Sequence, residues 1–185
     1  MRLSLLLAVA VGLFATPPVG WADVPVDLTE FDPASGISVR QQGTRLEARW
    51  PLAEHETGVL ILELHPQRPL IAELGIAAAL DAASAALVRD IQPVTWLTVG
   101  SRDLSAQGWN VFFDNPPTRA HETFLARLDK ERVRVSSHGR RTTIRISALS
   151  AGSFAGDLCV TLYAGCRLVH VEAVLSTRQD ACAIL

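Results

Sequence analysis

Apolar and polar residues alternate with a period of two along most of the chain after residue 36. Ile37 and Val39 alternate with Ser38 and Arg40, Gln42-Gly43 offers a turn, and Leu46, Ala48 and Trp50 alternate with Arg45, Glu47 and Arg49. Strand side chains point alternately to two faces, so this stretch predicts a half-buried hairpin. Residues 58–65 and 69–74, joined by the Pro66–Pro69 turn, are denser in Leu and Ile, as central strands are. Further strands are predicted over 94–99, 109–113, 121–128, 132–137 and 142–148, the last two flanking His138-Gly139-Arg140. A long hairpin follows, GDLCVTLY and RLVHVEAVLS around Ala164-Gly165-Cys166. Two stretches depart from the period. Residues 23–36, with Pro25 and Pro33, predict an irregular entry segment. Between Ala77 and Gln92 alanine dominates, and Leu80, Ala83, Leu87 and Ile91 fall at helical spacing. A short helix is therefore expected over 78–91, with an Ala-rich crossing loop as the alternative.

About a dozen short strands and at most one helix predict an all-β fold, an antiparallel β-sandwich. Trp50 and Trp96 are in phase with apolar neighbours and are expected in its core, whereas Trp109, after Gly108 at a strand start, suits an exposed platform. The apolar run Cys182-Ala183-Ile184-Leu185 begins a strand at the end of the sequence. Exposed apolar strand ends invite aggregation, so a longer natural chain, truncated here, is one expectation.

The first 22 residues fall outside this pattern. Arg2 precedes an apolar run from Leu3 to Phe14, Pro17 and Pro18 break it, and Gly20-Trp21-Ala22 puts small residues at −3 and −1 of a cleavage between Ala22 and Asp23. A membrane span needs roughly 20 apolar residues, so the segment reads as a signal peptide rather than an anchor. A single β-sandwich domain over 23–185, in the periplasm or secreted, is the expected product. No membrane contact is expected after signal removal.

Composition narrows the class further. The chain has 185 residues, 49% hydrophobic and 19% charged, which excludes a disordered tail. Its formal charge of −2 excludes a basic field for nucleic acid. Lys130 is the one lysine among 17 basic residues. Export permits disulfides, but Cys159, Cys166 and Cys182 are odd in number. On the closing hairpin Cys159 and Cys166 are several pairs apart, beyond bridging distance, so all three are expected as core or turn residues.

Signatures of common catalytic classes are missing. His55-Glu56 and His121-Glu122 are followed by Val59 and Leu125 where a zinc protease needs its second histidine. No nucleophile elbow, phosphate loop or dinucleotide fingerprint occurs. No metal site or cofactor is implied, although a loop calcium at Asp114 would leave no pattern. The densest polar group is Trp109, Asn110, Asp114, Asn115, Arg119, His121 and Glu122, around Pro116-Pro117. An aromatic plane with carboxylate, amide and guanidinium groups suits a sugar. His121 and Glu122 are candidate acid/base residues, although on a strand they take opposite faces. Turn chemistry and a solvated strand face account for the same residues without a ligand. His170 and Glu172 alternate with Val169, Val171 and Ala173 and project from one face of the closing hairpin, as ligand contacts or as a plain polar surface.

Residues 156–177 (GDLCVTLYAGCRLVHVEAVLST) resemble the super-sandwich domains of galactose mutarotase-like proteins, and residues 58–77 (GVLILELHPQRPLIAELGIA) are similar to an early sheet of such folds. The resemblance implies the N-terminal sandwich of a larger, secreted carbohydrate-active protein, with a glycan as partner. It supplies no catalytic pair that maps onto this sequence residue by residue. Alternatives are an autonomous sugar epimerase or lyase using His121 and Glu122, or a non-catalytic periplasmic structural or interaction domain. The pattern leaves the oligomeric state and the glycan's identity open.

Overall fold

The computed structural model describes residues 24–93, 95–102 and 120–185. Strands are β1 (Val26–Glu30), β2 (Ser38–Gln42), β3 (Arg45–Pro51), β4 (Thr57–Glu63), β5 (Ile71–Ala77), β6 (Ser84–Ile91) and β7 (Trp96–Ser101). They continue as β8 (His121–Leu125), β9 (Arg127–Leu128), β10 (Val133–His138), β11 (Arg141–Ala151), β12 (Phe154–Tyr163), β13 (Val169–Ser176) and β14 (Cys182–Ile184). The expected all-β, sandwich-like architecture is present. One sheet runs β1-β10-β11-β12-β13 with β9 added beside β11, a second runs β2-β3-β4-β5-β6, and a third runs β14-β7-β8. Apart from the parallel β1–β10 pair, the pairing is antiparallel.

Strand alternation builds the core. In the second sheet Leu46 pairs with Leu62 and Ala48 with Leu60, and in the first Val135 pairs with Ile144 and Ile144 with Val160. These residues pack in one cluster that also takes in Val133, Ile146, Leu158 and Leu162. Trp50 belongs to it, at 2% exposure, and its indole N–H donates to the Cys166 carbonyl at 2.8 Å. Its ring covers Gly58, where a Cβ would come within 2.4 Å of the indole. A smaller cluster of Leu97, Val99, Ala151 and Phe154 joins the third sheet to the end of the β11–β12 hairpin.

Four expectations change. The stretch expected as a helix over 78–91 contains β6, paired antiparallel to β5, and no α-helix occurs among the described residues. Its helically spaced apolar positions found no surface to bury against: Leu80 is exposed and Leu87 is 65% exposed. An available strand edge outweighs the modest helix preference of alanine. The entry segment is not wholly irregular, because Val26 and Asp27 align with Val133 and Arg134. The single strand expected over 121–128 is divided at Ala126, with β8 in the third sheet and β9 in the first. Trp96 is not in the core. It is 67% exposed, because the covered face of β7 carries Leu97 and Val99. All three cysteines are free, Cys159 buried in β12. Desolvation raises the Cys159 thiol pKa above its ordinary value, against the attraction of Arg145. The 109–113 strand and the signal segment with its Ala22/Asp23 cleavage lie outside the described residues.

Candidate functional site

The third sheet carries the residues of greatest chemical interest. On β8, His121 is opposite Gly100 and Glu122 opposite Val99. Neighbouring strand residues face opposite ways, so the two side chains are on opposite faces of the sheet. Glu122 borders a cleft of about 350 Å³ with Ser101, Phe124, Ser153, Gln179 and Cys182. His121 faces the other side with Thr123 and Leu125. The two residues expected as an acid/base pair therefore do not converge on one reacting centre. His170 and Glu172 do share a face, as their alternation predicts: both are exposed on β13, opposite Thr161 and Cys159 of the first sheet. Trp109, Asn110, Asp114, Asn115 and Arg119 lie outside the described residues.

The His121 face holds a different constellation. Trp96 is paired with Leu125, itself 51% exposed, so an indole and an isobutyl group stand side by side in solvent. The next pair on that face is Thr98 and Thr123, whose hydroxyls are 3.1 Å apart, and the next is Gly100 with His121. A Cβ on Gly100 would approach Leu185 Cδ1 to 2.6 Å, so the missing side chain lets the last residue fold over β7. Leu125 also borders a groove of about 390 Å³, whose polar wall includes Gln67, Arg68, Gln92 and Arg127. Gln92 is held by the Leu70 N–H, which donates to its Oε1 at 2.9 Å, and Arg127 by Asp129 at 2.9 Å.

The wall of this groove is anchored from within. Lys130, at 2% exposure, extends its ammonium beneath the Pro66–Pro69 turn. Its Nζ donates to the carbonyls of Glu63 at 3.0 Å, His65 at 3.0 Å and Arg68 at 2.6 Å. Burial pulls its pKa below the ordinary 10.5, against the attraction of the Glu63 carboxylate. Glu63 in turn accepts from the His65 N–H at 3.1 Å and faces Arg45 at 3.5 Å. An ammonium with three carbonyl acceptors has all its donors engaged, which favours a rigid turn.

An apolar aromatic plane beside hydroxyl, amide and guanidinium groups can hold a sugar by stacking and directional hydrogen bonds. Sequence parity contained a signal for Trp96: Leu97 and Val99 share one phase, whereas Trp96 shares its phase with Thr98. The groove had no such signal, because residues 67–68, 92 and 125–127 meet only through pairing. Among the described residues no cluster of three or more His, Cys, Asp or Glu side chains is arranged to hold a metal, and no helix is long and apolar enough to cross a membrane. Comparison with protein-family models, curated proteins and solved structures finds no match to the chain.

Proposed function

We propose that the chain is an exported β-sandwich module that binds carbohydrate, with Trp96 as its stacking platform. The observation that carries this reading is the two-thirds-exposed indole on a sheet face, flanked by the Thr98–Thr123 pair and by Leu125, which itself borders a polar groove. Adjoining exposed apolar side chains, as Trp96 and Leu125 are, form the kind of patch that marks interaction sites, and tryptophan combines apolar area with few rotatable bonds. The signal-like N-terminus agrees with a location outside the cytoplasm. The resemblance of residues 58–77 and 156–177 to mutarotase-like sandwiches agrees with a sugar ligand, within a carbohydrate-active protein. Binding is favoured over autonomous epimerase or lyase chemistry because His121 and Glu122 face opposite ways.

Screening the protein against a glycan array, followed by titration calorimetry with the best neutral oligosaccharide, tests this reading. Trp96→Ala is expected to weaken binding by about tenfold or more, the loss of roughly 1.4 kcal/mol of stacking. Its unfolding temperature should stay near that of the parent, because the indole is exposed. Absence of any saturable glycan, or undiminished affinity in Trp96→Ala, overturns the proposal.

A further inference from the structure

A second constellation stands apart from the Trp96 face, on the outer face of the first sheet. Arg134 of β10 and Arg145 of β11 are directly opposite one another in the antiparallel register. Arg132, two residues before Arg134 and therefore on the same face, is held beside β11 by a backbone bond from Ser147 N–H to its carbonyl at 2.9 Å. These three arginines, with Ser147 and Asp157, enclose a cleft of about 160 Å³. Like charges facing each other across a strand pair are destabilising unless something neutralises them. Here the neutralising carboxylates are on the flanking strands: Asp27 of β1 is 3.5 Å from Arg134, and Asp157 of β12 is 2.9 Å from Arg145. Among the described residues Arg132 makes no ion pair. The lining itself carries three guanidiniums and one carboxylate, while Asp27 on β1 and Glu172 on β13, which also attracts Arg145, flank it, so guanidiniums are the groups an anion entering the cleft meets first.

We propose that this cleft is an oxyanion site, taking a sulfate or phosphate group through the guanidiniums of Arg132, Arg134 and Arg145. A guanidinium is a planar fork of donors matched to two oxygens at once, and three arginines lining one cleft suit a tetrahedral anion. The space, about 160 Å³, is ample for one such group. The group is either a free inorganic anion or an ester carried on a larger molecule that extends across the sheet. Asp157 limits the affinity, since it neutralises Arg145 and would repel an incoming anion.

The test is titration of the protein with sodium sulfate, with inorganic phosphate and with a sulfated dextran oligosaccharide, all at constant ionic strength against a chloride control. Saturable sulfate or phosphate binding is expected, weakened about tenfold in Arg132→Gln and in Arg134→Gln. Arg132→Gln keeps the test sound if Arg134→Gln also loosens β1, because Arg132 holds no ion pair among the described residues. Asp157→Asn should bind several-fold tighter. Tighter binding of the sulfated oligosaccharide than of free sulfate identifies an ester on a larger ligand, and equal binding identifies the free anion. Trp96→Ala should leave the sulfate titration unchanged, which separates this site from the glycan groove. Absence of saturation beyond the chloride control, or unchanged binding in both arginine variants, overturns the proposal.

Discussion

Lys130 illustrates how much a single side chain can hold. Its backbone adopts a positive φ of 54°, a region that costs a non-glycine residue of order 1 kcal/mol or more. The surrounding contacts impose that conformation, and in return three carbonyls of the β4–β5 connection receive a charged donor. Lys130→Met keeps the apolar stem but leaves those carbonyls without it, so a loss of about 3 kcal/mol of stability is expected. For a chain of this size that corresponds to a fall of roughly 10 °C in unfolding temperature, readable by calorimetry. A change within 2 °C would contradict the anchoring role. Nothing in the local sequence foretold it. Lysine is ordinarily exposed, and the acceptors are more than sixty residues away. Trp50 was legible as core because Leu46 and Ala48 share its parity. Trp96 shares its parity with Thr98, opposite the buried Leu97 and Val99.

At the scale of elements, β6 is the most informative strand. Among the described residues it is at the edge of its sheet, joined to β5, and the two are knitted by Arg89 to Glu73 at 3.2 Å and by the Ser84 hydroxyl to the same carboxylate. Those contacts hold the Glu73 carboxyl below its ordinary pKa, the Ser84 hydrogen bond contributing most. Gly75 makes the close approach possible. A Cβ there would come within 2.6 Å of the Ala85 carbonyl oxygen, beside the register shift between Leu74 and Gly75. Gly75→Val is therefore expected to detach β6 while β3 and β4 remain paired. Hydrogen exchange would report lost amide protection over 84–91 with protection over 45–51 retained; protection kept over 84–91 would refute the account. The division of residues 121–128 between two sheets belongs to this scale too. A periodicity continues smoothly through Ala126, but periodicity cannot say which neighbour each half will pair with.

At the scale of the whole molecule, burial is unequally shared. Among the described residues the main cluster holds eighteen buried apolar side chains, and the cluster beneath the third sheet holds four. Ala126 and Leu175 pack against both and couple them. Regions with few buried contacts open at lower free energy, so β7 and β14 are expected to exchange their amides before β11 and β12 do. In mild urea, amides of 96–101 and 182–184 should lose protection at lower concentration than those of 144–146 and 158–162, a comparison mass spectrometry can make. Simultaneous loss would mean that the third sheet is an inseparable part of the sandwich. The candidate glycan face is then on the more readily opened sheet, whereas the arginine cleft is on the firmer one. The sequence by itself determined that the chain is built of antiparallel strands, and where most of them run, because alternation is a local property that each strand carries alone. Only tertiary pairing decided that 84–91 extends rather than coils, that β1 joins β10, that Trp96 faces solvent, and that Arg132, Arg134 and Arg145 line one cleft. Each of those depends on which distant strand supplies the hydrogen bonds and which face is covered. The energy that decides such matters is long-range burial, which no short stretch of sequence contains.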